Sequence, residues 1–117
     1  GEAETKAKEL LEQLQVRGDV TGVIVLRNND QVVIYASSSI HPDSLKKYVQ
    51  TNKSMRESMK GLEEETGNFS LVRLRSQENE VIFSRDEEFT LIVIQKPQET
   101  TSSSSASAAK EGGIQFY

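Results

Sequence analysis

A three-layer α/β/α sandwich is the fold class this sequence predicts. Its sheet is five-stranded and mostly antiparallel, with one helix on each face, in the chain order helix-strand-strand-helix-strand-strand-strand. Three observations lead there. The stretch VTGVIVL at residues 20–26 and the run LIVI within residues 88–95 contain no charge, so each reads as a strand covered on both faces. Two longer segments carry apolar residues at helical spacing. The whole pattern fits in residues 1–97, about the length of one domain.

The first helix is read over residues 2–16. Ala3, Ala7, Leu10, Leu11 and Leu14 fall on one stripe. Glu2/Lys6 and Glu4/Lys8 are acid-first pairs at i,i+4, the better orientation for helix stability, and Gly18 supplies the stop. Residues 20–26 form the first strand. Asn28-Asn29-Asp30 signals a turn, and QVVIYA at 31–36 returns as the second strand of a hairpin. After a serine break, His41 is placed to cap the next helix and Pro42 suits its first turn. That helix runs to about residue 65, ended by Gly67 and Asn68, and at about 1.5 Å per residue is roughly 35 Å long. Three strands come next, at 69–75, 80–84 and 88–95, with turns at Gln77-Glu78-Asn79 and Arg85-Asp86-Glu87. Pro97 closes the domain. Residues 98–117, with TTSSSSASAA ahead of KEGGIQFY, have too little apolar content to offset chain entropy and read as a disordered extension. Ile114, Phe116 and Tyr117 near its end read either as a short docking motif or merely as a sticky terminus.

The middle helix carries the interaction signal. Leu45, Tyr48, Asn52, Met55, Met59 and Leu62 are spaced alternately three and four apart, a heptad seam, with Val49 beside it. Such a stripe packs either on its own sheet or on a second helix. The charges favour the second helix. Lys46 and Lys47 sit in the first turns and Glu63, Glu64 and Glu65 at the end, each against the helix dipole. An antiparallel copy corrects both ends and brings Asn52 near the copy's Met55. The strand at 69–75, with Arg73 and Arg75 on one face and Val72 and Leu74 on the other, suits a sheet edge. An apolar edge invites pairing. The expectation is therefore a homodimer with a continuous sheet, its interface drawn from Leu45, Tyr48, Val49, Asn52, Met55, Met59, Leu62, Val72 and Leu74.

Composition narrows the function classes. With 14 Lys+Arg against 18 Asp+Glu the net charge is −4, which argues against a nucleic-acid-binding module. Cysteine is absent, so thiolate nucleophiles and zinc–thiolate sites are excluded. A lone His41 leaves no histidine pair for a metal and no base beside a nucleophile. No Gly-rich phosphate loop occurs. The acidic runs 63–65 and 86–88 read as solvated faces, without the partner residues that glycoside hydrolysis or a metal site needs. Arg17-Gly18-Asp19 is explained by the helix stop. The apolar runs are far short of the roughly 20 residues that cross a bilayer, and no secretory leader pattern is visible. The expectation is a soluble, intracellular, non-enzymatic domain with no cofactor, catalytic residue or metal, and no nucleic-acid or membrane partner.

Over residues 8–97 the sequence resembles the Roadblock-type dynein light chain family. The resemblance is carried by Gly22-Val23-Ile24-Val25, Leu71, Arg73-Leu74-Arg75-Ser76, Asn79-Glu80, Asp86, Phe89, Leu91-Ile92-Val93-Ile94-Gln95 and Pro97. The middle helix matches in pattern more than in letters, and the serine-rich tail departs from the family. The resemblance implies a dimer with paired middle helices and joined edge strands. It also implies a non-catalytic dynein subunit that binds the dynein intermediate chain, as a homodimer or as a heterodimer with a sister light chain. Its setting would be the cytoplasm and cytoskeleton, or the axoneme of a cilium. Relatives of the fold that regulate small GTPases supply the alternative reading.

Overall fold

A computed structural model describes residues 18–97 and, ahead of them, residues 5, 8, 9 and 11–13, which are helical. The tail reading for residues 98–117 and the stripe positions Ala3, Ala7, Leu10 and Leu14 lie outside the described residues. The strands are β1 (Val20–Arg27), β2 (Val33–Ala36), β3 (Leu71–Arg75), β4 (Glu80–Arg85) and β5 (Phe89–Gln95), with one long helix, Pro42–Thr66, between β2 and β3. They form one sheet in the order β2-β1-β5-β4-β3, antiparallel at every pairing.

The two strands without charge in their apolar runs, β1 and β5, lie side by side in the interior. Their register sets Ile24 opposite Ile92 and Val25 opposite Leu91. Alternation along the pleat then divides the side chains between two cores. On one face Ile24, Leu26, Phe83, Ile92 and Ile94 are buried, and Leu45, Tyr48, Val49 and Met55 of the long helix pack on them. On the other face Val23 and Val25 are buried with Leu11 of the N-terminal helical residues. Each fully buried side chain of this kind contributes about 1.5–3 kcal/mol. Helix, sheet and helix are the expected three layers.

Gly22 explains why one position in this strand takes no side chain. A Cβ there would lie 2.9 Å from Ile40 Cγ1 and 3.2 Å from Ile94 Cδ1, inside van der Waals contact.

The helix ends are set by local chemistry. His41 is the N-cap, its Nδ1 accepting the Asp43 N–H at 3.1 Å, and Pro42 occupies the first turn. Gly67 ends the helix at φ 88°, a conformation that favours glycine, and its N–H donates to the Glu63 carbonyl at 2.8 Å.

Strand boundaries shift where turns hold on to the chain. β2 begins at Val33 rather than residue 31, because Gln31 has φ 60° and the Asp30 carboxylate accepts the Val32 N–H at 3.2 Å. Partial burial works to raise the Asp30 pKa, but the hydrogen bonds from Val32 and Arg27 outweigh it and hold the carboxyl below its usual range. β3 begins at Leu71 rather than residue 69, because Phe69 is bound to the helix end. Its N–H donates to a Glu63 carboxylate oxygen at 2.8 Å and its carbonyl accepts from Arg56 Nη1 at 2.9 Å. At the far ends of the sheet, Asn28 ties two turns together: Thr90 Oγ1 donates to its Oδ1 at 2.6 Å, and its Nδ2 donates to the Asp86 carbonyl at 2.7 Å.

Candidate interaction surface

The residues expected at a dimer interface fall into two groups. Leu45, Tyr48, Val49 and Met55 pack on the chain's own sheet. Asn52 is 1% exposed, and its Nδ2 donates to Gln31 Oε1 at 3.2 Å. This corrects the expected approach of Asn52 to a copy's Met55: the amide is enclosed within its own chain. Gln31 Nε2 donates to the Asn28 carbonyl, which leaves its Oε1 to receive Asn52 and so orients both amides. The N-terminal part of the seam therefore serves the core of its own protomer.

The second group is open to solvent. Leu62, near the end of the long helix, is 50% exposed, and Leu74 on β3 is 44% exposed. Met59 is half-buried, as is Val72, which reaches the core. Leu71, at 54% the most exposed large apolar residue among the described residues, lies outside the expected set. Its position in F-S-L-V-R-L-R puts it on the same face as Arg73 and Arg75, so alternation alone assigns it to the polar side.

β3 is an edge strand, as its arginines suggest; among the described residues it pairs only with β4. Arg73 Nε lies 3.4 Å from Glu80 Oε1. Glu80 is buried and also accepts from Gln95 Nε2 at 3.0 Å. A cation on β3, an acid on β4 and an amide on β5 thus cross-link the strands on the face opposite the long helix.

Glu63 does not stand free at the helix end. Its carboxylate receives the Phe69 N–H, while Glu64 and Glu65 remain exposed. Arg56 lies beneath this corner. Burial first, then repulsion from Arg85, lowers its pKa, and Glu63 opposes the shift. Its Nε and Nη2 are buried without a partner, as is Asn52 Oδ1, one helical turn earlier. This corner is a hydrogen-bonded seal between helix end and β3, and sequence spacing carries no sign of it.

Among the described residues, no group of three or more His, Cys, Asp or Glu side chains is arranged to hold a metal ion. No helix among them is long and apolar enough to cross a membrane. The features that stand out are therefore surfaces: the β3 edge with Leu71 and Leu74, the helix end with Met59 and Leu62, and the opposite edge at β2.

The family model for the Roadblock/LC7 domain matches residues 6–96. No curated protein matches the chain. Among solved structures, the crystal structure of a Roadblock/LC7 domain from Streptomyces avermitilis is similar in fold, with a TM-score of 0.61 at 12% identity, covering 89% of this chain and 94% of that one. That family includes dynein light chains and also regulators of small GTPases. With nearly all of its described fold inside the matched range, this chain belongs to the Roadblock/LC7 domain family.

Proposed function

We propose that the protein is a non-catalytic, dimeric light chain of a dynein motor that binds the dynein intermediate chain. The observation that supports this reading is the concentration of exposed apolar side chains, Leu62, Leu71 and Leu74, on the β3 edge of the sheet and on the helix end that leads to it. Edge pairing of β3 with a copy of itself would give a ten-stranded sheet and cover an edge that otherwise invites aggregation. Because Asn52 and Met55 face inward, the contact between the two helices is centred on Met59 and Leu62 rather than between Asn52 and Met55. With the crossing there, Glu64 and Glu65 come level with Glu57 and Arg56 of an antiparallel neighbour rather than with its Lys46 and Lys47.

A two-fold dimer presents every surface twice. Two intermediate chains, each contributing one segment that orders on binding, would be held at high effective concentration by one rigid body. The protein's task would be assembly and cargo attachment in microtubule-based transport, in the cytoplasm or in a ciliary axoneme. The bacterial relative supports the fold and leaves room for the second role known in the family, a dimeric scaffold that regulates a small GTPase.

Affinity capture with the full chain as bait separates the two. The expected result is a dynein intermediate chain in the eluate, in a one-to-one ratio with the light chain and regardless of added nucleotide. Recovery of a small GTPase in only one nucleotide state, without intermediate chain, would overturn the dynein reading.

A further inference from the structure

The second edge of the sheet, β2, is built unlike β3. Val33–Ala36 reads VIYA and holds neither charge nor proline, whereas β3 carries Arg73 and Arg75. Val32, Val33 and Ile34 are 44%, 37% and 40% exposed. Natural edge strands are ordinarily guarded by charge, proline, a bulge or cover. Of these β2 has only a bulge. Val25 and Leu26 are opposite Tyr35 and Val33, so Ile34 is the extra residue, and pairing over a long flat run is discouraged.

Two hydrogen bonds fix what this edge offers. Within one planar peptide unit the C=O and the N–H point in opposite directions. The Val32 carbonyl accepts from the Arg27 N–H on β1, so the Val33 N–H faces away from β1. The Ser37 N–H donates to the Val23 carbonyl, so the Ala36 carbonyl faces the same open side. Among the described residues no strand lies beyond β2 to receive either group.

A cationic stretch of the long helix lies alongside. From Ala36 the chain turns through residues 37–41 into that helix, and Asn52 is then bonded to Gln31, just ahead of the other end of β2. Helical residues 42–52 and extended residues 31–36 each span roughly 16 Å, so the opening turns of the helix match the strand in length. Residues 44–53 include Lys46, Lys47 and Lys53 and no acid, in a chain of net charge −4. All three lysines are exposed, and none is in an ion pair among the described residues. A helix crossing at Met59 and Leu62 does not reach them.

We infer that β2 and this stretch of helix together dock an extended acidic segment of a partner protein. The segment adds to β2 as a short strand and sets its carboxylates against Lys46, Lys47 and Lys53. The outward N–H and C=O match a peptide backbone, which pairs with a sheet edge in this way. The lysines match acidic side chains, and Val33 and Ile34 match apolar ones between them. An anionic membrane would satisfy the lysines and leave the backbone groups of the edge unpaired. A second copy of this edge would bring more lysines and no acid. Because β2 and β3 are opposite edges of the sheet, the site exists in a lone protomer and twice in a β3-paired dimer. It does not rest on the dynein reading.

The test uses the full chain with a short capped peptide of alternating glutamate and valine, and with its lysine–valine counterpart. Exchange of the Val33 backbone amide is expected to slow about tenfold when the glutamate peptide is present at roughly ten times its dissociation constant. The lysine peptide is expected to leave it unchanged. Lys46→Glu with Lys47→Glu and Lys53→Glu is expected to weaken binding about tenfold. Acids near a helix start do not oppose its dipole, so this variant keeps the helix. Val33→Pro removes the outward N–H at an edge position and is expected to abolish binding. An unchanged Val33 exchange rate with the glutamate peptide would overturn the inference, as would equal affinity for both peptides or for the lysine variant. So would Val33 protection that grows with protein concentration in the absence of peptide, which would assign the edge to a second copy. Binding of phosphatidylserine vesicles through the three lysines, with no peptide effect at Val33, would assign the helix to a membrane surface instead. None of these outcomes bears on self-pairing through β3, so the two readings fail separately.

Discussion

Phe83→Ala is expected to lower the unfolding free energy by about 3–5 kcal/mol, the range for truncating a buried aromatic ring. Phe83 is 1% exposed at the centre of β4, between Val72 on β3 and Ile92 on β5, beneath the long helix. Its ring fills the space where the helix spans from the interior strands toward the β3 edge. The resulting cavity has little means of collapsing, because the sheet register fixes the strands on either side. A domain of this size has a total stability of about 5–15 kcal/mol, so the loss is a large share of it. Urea titration followed by circular dichroism measures the change. Leu71→Ala serves as the comparison: at 54% exposure its truncation is expected to shift the single-protomer curve by no more than about 0.5 kcal/mol.

The second large effect is expected in assembly rather than in folding. Leu62→Arg and Leu74→Arg each place a charge where the proposed interface would exclude water, while both side chains are accessible in the single protomer. Central interface positions typically cost about 2 kcal/mol or more when disrupted, which is about thirtyfold in dissociation constant per site. The double variant is expected to sediment as a protomer with an unchanged far-ultraviolet spectrum. Asn52→Arg makes the informative contrast. Since Asn52 is 1% exposed and bonded to Gln31, that substitution is expected to unfold the helix–sheet contact, not merely to separate two copies. A folded Asn52→Arg protomer would contradict the inward placement of the seam.

Much of the architecture was legible because β1 and β5 are apolar on both pleats, a pattern that suits interior strands, although the short edge strand β2 is uncharged as well. The arginines of β3 marked it as an edge for the converse reason. The long helix was equally plain from Pro42, the apolar spacing and Gly67. Its orientation was not. A stripe at alternating three- and four-residue steps has the same letters whether it meets its own sheet or another helix, and Asn52 falls on that stripe in either case. What decided the matter was Gln31, distant in sequence and held at positive φ by its turn, which supplies the amide's partner.

The corner at Phe69 was hidden for a similar reason. Glu63 and Arg56 look like ordinary charges on a solvated helix, yet the chain reversal at Gly67 brings the Phe69 N–H and carbonyl back to meet them. Glu63 thereby leaves the set of acids that seemed misplaced against the helix dipole. Leu71 lies outside the expected interface because alternation groups it with Arg73 and Arg75, although an edge strand can expose apolar residues on either pleat when pairing is to cover them.

The central claim is self-association through β3 and the end of the long helix. Sedimentation velocity of the purified full chain across micromolar concentrations tests it most directly. A single species at twice the 13.1 kDa chain mass, reduced to one chain mass by Leu62→Arg with Leu74→Arg, is the expected result. A species at 13.1 kDa throughout the range, with the double variant indistinguishable from it, would contradict the account.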